Sequence, residues 1–223
     1  MTLNRRRFTL LTLTGLALGP AGLATLRAAP AADGLNEGQD YALIDPPQPP
    51  ASPGRIEVLE FFSYACPHCR TLQPLIKEWA PGLGPDVDFR SVPVTFGRAA
   101  WANLARLHYA LDQMDELARL DEAIFTAIHD ERANLFTDRS IQAWVAEQDL
   151  DADAFTAAYD SFAVNVALSR ADTLAATYRI DAVPRLIVAG RYVVLANQAR
   201  TQQDVLAVAG KLVERARAEA ARS

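Results

Sequence analysis

The segment VLEFFSYACPHCRTL, Val58 to Leu72, holds both cysteines of a 223-residue chain. Two thiols separated by Pro67 and His68 can close a structural disulfide, supply part of a metal clip, or work as a reactive dithiol. A cross-link over so short a loop restrains little of the unfolded chain, so it makes a weak staple. Zinc takes about four ligands, so His108 and His129 would have to complete a site from separate helices. Those two histidines otherwise read as residues of helix surfaces or core edges. A reactive dithiol needs only the segment itself.

The spacing divides the work between the sulfurs. Cys66 stands where a strand-like run gives way to a helix-like one, so its sulfur meets the unpaired N–H groups and positive dipole end of that helix. Both favour thiolate, which is the nucleophilic form. His68, when protonated, adds a positive charge beside it. Pro67 fits the first turn, where its missing N–H is not needed. Cys69 lies one turn further on and deeper, close enough to close a small disulfide ring. One sulfur is attacked or attacks, and the other resolves.

Several elements must position this pair. "RIEVLEFF" is rich in β-branched and aromatic residues and predicts a strand. Cys66 to Trp79 places Leu72, Leu75, Ile76 and Trp79 on one helical face, with Pro74 expected to kink it. "VDFRSVPV", Val87 to Val94, predicts a second strand. From about Arg98 to Tyr178 the period becomes helical, first through Trp101, Leu104, Leu107, His108 and Leu111. Further helices fit Asp115 to Ile128, Asp138 to Glu147, Asp151 to Phe162 and Val164 to Tyr178, with Asp138 and Asp151 as N-caps. "VPRLIVAGRYVVL" returns to strand character around a hairpin at Gly190. A last helix covers Gln202 to about Ala220. Ahead of all this, Asp33 to Gly54 is proline-rich and extended, with "YALI" as a short edge strand. A βαβ half and a ββα half therefore flank a helical insertion.

Strand alternation puts Val58, Glu60 and Phe62 on one face, which predicts that the Glu60 carboxylate points inward beneath the cysteine helix. Glu57 reads as a solvated strand residue by contrast. Phe61, Phe62 and Tyr64 read as core or groove lining, and Trp79, Trp101 and Trp144 as core.

"VLEFFSYACPHC" together with "AVPRLIVAGRY" resembles the DsbA branch of the thioredoxin superfamily, the periplasmic thiol:disulfide oxidoreductases. The resemblance runs from about Gln39 to the last helix. It implies an α/β thioredoxin fold, a central mixed sheet flanked by helices, with an inserted all-helical subdomain. The implied parts are a first thioredoxin-like stretch at 32–97, the insertion at 98–178 and a second stretch at 179–223. It also implies that Val183-Pro184 is a cis loop facing the cysteines, where the Val183 backbone pairs with an extended substrate segment. Glu60 becomes the buried acid that exchanges protons with Cys69. The catalytic set expected on this basis is Cys66, Cys69, His68, Pro67 and Glu60, with Val183 and Pro184 binding substrate. Implied partners are reduced, unfolded exported proteins and a DsbB-like quinone-linked membrane oxidoreductase. No metal, nucleotide or flavin is implied, and the family form is a monomer. A reductase or isomerase on the same fold, or a chaperone-like binder with a structural disulfide, are the rival readings. Arg70 and Arg185, beside the two motifs, depart from the apolar or aromatic residues expected there.

Charge and composition agree with export. Half of the residues are hydrophobic, enough to form a core without staples. Residues 1–31 carry Arg5, Arg6, Arg7 and Arg27 and no acid, so the whole-chain net charge of −5 leaves about −9 on the rest. An acidic body excludes phosphate-backbone binding as a function class. The basic start, an apolar run from about Phe8 to Leu18, and Ala29-Pro30-Ala31 read as a signal peptide at 1–31. Arg5-Arg6-Arg7-Phe8 resembles a twin-arginine signal, and an ordinary secretory signal fits equally. Gly15, Gly19, Pro20 and Gly22 argue against a retained span. Either export route takes the body out of the cytoplasm, into a compartment where disulfides form and persist, and the resemblance implies the periplasm.

Overall fold

A computed structural model of the protein describes residues 33–195 and 197–222. The signal-peptide segment lies outside the described residues. Strands β1 (Tyr41–Leu43), β2 (Ile56–Phe62), β3 (Val87–Pro93), β4 (Arg185–Val188) and β5 (Tyr192–Val194) form one mixed sheet in the order β1-β5-β4-β2-β3. β2 runs parallel to β3 and antiparallel to β4. Helices α1 (Pro67–Trp79), α2 (Ala99–Gln113), α3 (Leu117–His129), α4 (Asp138–Val145), α5 (Ala152–Tyr159), α6 (Phe162–Thr177) and α7 (Gln202–Ala220) complete the fold. α2 to α6 all fall between β3 and β4, so the thioredoxin fold carries a helical insertion.

All seven residues of β2 are buried. Val58 packs with α1 and α7 on one face, while Leu59 and Phe61 pack with α6 on the other. This overturns the expectation for Glu57. A central strand covered on both faces has no solvated side, and the 5 % exposed Glu57 instead accepts a 2.5 Å hydrogen bond from Arg90. The tryptophans depart from expectation in the other direction. Each is half-buried at the margin of a core cluster, and the Arg98 guanidinium lies 4.8 Å from the Trp101 ring.

Helix ends also moved. Thr137, not Asp138, caps α4 through a reciprocal box with Ser140, because the hydroxyl one residue earlier reaches the third backbone N–H. Asp151 caps α5 as its sequence position suggests. α6 starts two residues earlier than the periodicity indicated, capped by Ser161. The β4–β5 turn places Ala189 and Gly190 both at positive φ, and a Cβ on Gly190 would lie 2.1 Å from the Gln48 carbonyl oxygen. The Gln48 N–H donates to the Gly190 carbonyl, which fastens the proline-rich lead-in to the hairpin. The cis Asp45–Pro46 bond in that lead-in had no signal in the sequence reading.

The start of the lead-in is clamped as well. Arg215 of α7 is 7 % exposed, forms a bidentate pair with Asp33 at 2.7 Å, and lies 4.5 Å from the Tyr41 ring. Arg215→Ala removes a nearly buried charge pair and the stacked guanidinium together. We expect it to lower unfolding free energy by about 2 kcal/mol in urea titration. An unchanged midpoint would show that the lead-in contributes nothing to the folded body.

Candidate active site

β2 ends at Phe62 and β4 begins at Arg185, and the antiparallel register sets Phe61 opposite Arg185. The chain leaving β2 and the chain entering β4 are therefore neighbours. That register brings Cys66 to Val183, 117 positions later in sequence: the Cys66 Sγ lies 3.5 Å from the Val183 carbonyl oxygen. The Val183–Pro184 peptide is cis.

Cys66 is the N-cap of α1, with Pro67 in the first turn and no acid there to neutralise the helix end. Both thiols are free. Cys66 keeps 8 % of its surface exposed and Cys69 none. The Cys66 thiol is pulled down to about 6, chiefly because the Cys69 S–H donates to its sulfur; the N–H groups of Cys69 and His68 and the charge of His68 add to this, against burial. Cys69 moves the opposite way, since the same hydrogen bond and its burial both favour its protonated form. His68 and Pro67 are exposed at the helix tip. The site is thus two sulfurs of unequal acidity, one keeping a small part of its surface in solvent and one sealed in.

Glu60 is 5 % exposed and lines a cavity of about 260 Å³ beneath α1 with Gln73, Lys77, Ser91 and Asp121. The Ser91 hydroxyl donates to its carboxylate at 2.7 Å. Burial, which outweighs that hydrogen bond, raises Glu60 to about 7. A carboxyl group there can give and take protons near neutral pH.

Two histidines and Asp121, an aspartate the sequence did not single out, surround Tyr64. Its hydroxyl donates to Asp121 at 2.7 Å and lies 3.1 Å from His108 Nδ1, while its carbonyl oxygen lies 2.7 Å from His129 Nε2. His108 lies in the core, the second of the two places its sequence offered, and burial lowers it to about 4, so its ring is neutral. Both histidines brace the turn before Cys66. Helical period identifies such residues only as inward-facing, so their polar partners could not be read from it. Arg70 reaches Asp130 at 2.8 Å, and Arg185 reaches Asp181 at 3.6 Å. Arg185 also lines a 220 Å³ hollow beside the cysteines with His68, Leu72, Pro184 and Gln202.

The chain is similar to known proteins in sequence and in fold. The family described as "DSBA-like thioredoxin domain" matches residues 57–207. A thiol:disulfide interchange protein DsbA of Bordetella parapertussis is 40 % identical over 181 residues, covering 81 % of this chain and 85 % of that protein. One from Azotobacter vinelandii is 36 % identical over 205 residues, covering 92 % and 94 %. Among solved structures, Pseudomonas aeruginosa DsbA superposes with a TM-score of 0.80 at 33 % identity, covering 85 % of this chain and 98 % of that one.

Proposed function

The chain belongs to the DsbA family of thioredoxin-fold thiol:disulfide oxidoreductases, and from that premise we propose that it is a periplasmic dithiol oxidase for newly exported proteins. Residues 1–31 direct export and are removed. The oxidised enzyme carries a Cys66–Cys69 disulfide. A substrate thiolate attacks Cys66, and the bond to Cys69 breaks with its electron pair on Cys69, which takes a proton from Glu60. A second substrate thiolate then attacks the substrate sulfur of the mixed disulfide and releases Cys66 as thiolate. The substrate leaves with a disulfide and the enzyme as a dithiol. A DsbB-like quinone-linked membrane protein restores the enzyme disulfide. Val183 offers its backbone to the extended substrate beside Pro184, and His68 and Pro67 keep the tip of α1 electropositive and open. The enzyme acts as a monomer.

The observation that carries this reading is the opposed acidity of the two sulfurs. A stabilised Cys66 thiolate favours the reduced form, and that makes the disulfide an oxidant. The test is the equilibrium of the Cys66–Cys69 couple against glutathione, paired with oxidative refolding of a reduced substrate protein. We expect a potential well above the thioredoxin value of about −270 mV and accelerated refolding. A potential at the thioredoxin end would make the protein a reductase.

A further inference from the structure

Asp121 stands on α3, in the helical insertion, yet its contacts belong to the cysteine segment. It accepts from the Tyr64 hydroxyl at 2.7 Å through one oxygen and from Gln73 Nε2 at 2.6 Å through the other. Tyr64 lies two residues before Cys66 and Gln73 four after Cys69, so one carboxylate holds both flanks of the motif. Lys77 Nζ is 3.9 Å from Asp121 and 3.6 Å from Glu122. Asp121 also lines the cavity that Glu60 lines, and a second hollow of about 490 Å³ shares Lys77, Phe89, Ser91 and Asp121 with it. Gln73, 7 % exposed, keeps Oε1 without a hydrogen-bond partner beside that space. An orphaned acceptor beside a roomy cavity that Glu60 and Asp121 also line is a place for a water molecule.

We propose that Asp121 is a positioning residue for the proton transfer at Cys69: it braces both flanks of the cysteine motif and sets the charge that Glu60 meets across the shared cavity. This rests on the reading that Glu60 serves Cys69. When the Cys66–Cys69 bond breaks, Glu60 gives its proton to the departing Cys69 sulfur and recovers one from solvent by way of the cavity. The carboxylate of Asp121 disfavours a second negative charge on Glu60 and so keeps the donor loaded. Other groups face this space from each packed element. Cys69 and Tyr64 of the active-site segment feel the charge of Glu60, and Lys77, further along α1, lines the cavity. His108, neutral through burial, and Asp112 with Tyr109 come from α2. Glu122 comes from α3, and Arg90 of β3 is engaged by Glu57. Among the described residues, Lys77 is the cation that opposes Asp121 directly.

The test is the pH profile of the reaction of the oxidised protein with a dithiol peptide. The rate per substrate thiolate should fall as pH rises through the titration of Glu60. Asp121→Asn is expected to move that midpoint down by about 0.5 pH unit or more, and to slow the reaction at pH 7 by about twofold or more. Lys77→Met, at a surface position, should move it up. In a Glu60→Gln background neither change should move the profile. A midpoint unmoved by Asp121→Asn while Glu60→Gln abolishes it overturns the inference and leaves the Glu60 role standing. A profile indifferent to Glu60→Gln removes that role and the inference with it. Should Asp121→Asn not fold, Lys77→Met decides, and an unmoved midpoint overturns the proposal.

Discussion

At pH 8 the dithiol form is expected to be more stable than the disulfide form, and at pH 5 the order should reverse. Two effects compete. Closing a four-residue loop restrains the unfolded chain by only about 2 kcal/mol. Against this, Cys66 is held as thiolate in the folded dithiol, with its thiol drawn down to about 6. A depressed group stabilises the fold fully above its unfolded value, near about 8.5 for cysteine, and the benefit fades as pH falls through the folded value. Linkage then assigns the thiolate about 2.5 kcal/mol at pH 8, about 1.5 at pH 7 and almost nothing at pH 5. The thiolate wins at pH 8, the two nearly balance at neutrality, and the cross-link wins in acid. Above about pH 8.5 the Cys66 benefit is complete and the advantage declines, because Cys69 is kept protonated in the fold while it ionises in the unfolded chain. Paired urea titrations of the two forms at these pH values measure the crossing. A disulfide form that stays the more stable at pH 8 would falsify the account of Cys66 as a stabilised thiolate.

Replacing Cys69 by alanine should have two large and separable consequences. The main stabiliser of the Cys66 anion is the Cys69 S–H, so its loss should return Cys66 much of the way to an ordinary thiol, read from the ultraviolet absorbance of the thiolate against pH. The N–H groups and charge of His68 remain, so part of the depression should persist; His68→Ala alone, which removes the weakest of these contributions, should shift the titration less. The second consequence is chemical. Without Cys69 the enzyme holds no disulfide to donate, and turnover in oxidative refolding should fall to background. Cys66 in this variant should still be captured by a mixed-disulfide-forming peptide and hold it, since the resolving thiol is gone. Cys66→Ala should lose both turnover and capture. If Cys69→Ala lost capture while Cys66→Ala kept it, the roles of the two sulfurs would be interchanged.

Much of this was legible in one dimension. The strand-to-helix junction at Cys66, the order of elements and the helical insertion follow from period, breakers and caps, all of which act over a few residues. The inward face of Glu60 follows from strand alternation. Burial of Glu57 did not, because whether a strand has one covered face or two depends on what later segments lay over it. For the same reason Trp79, Trp101 and Trp144 were assigned to the core when they close its margins.

The sequence by itself determined which sulfur starts the helix and which lies a turn deeper, since that is local geometry. Only the tertiary structure decided what those sulfurs meet. The Val183 carbonyl reaches Cys66 through the pairing of β2 with β4, and Asp121 reaches Tyr64 and Gln73 because α3 packs against α1. Contacts between residues 48 to 117 positions apart leave no trace in spacing, because they are set by how faces pack and not by the chain that joins them.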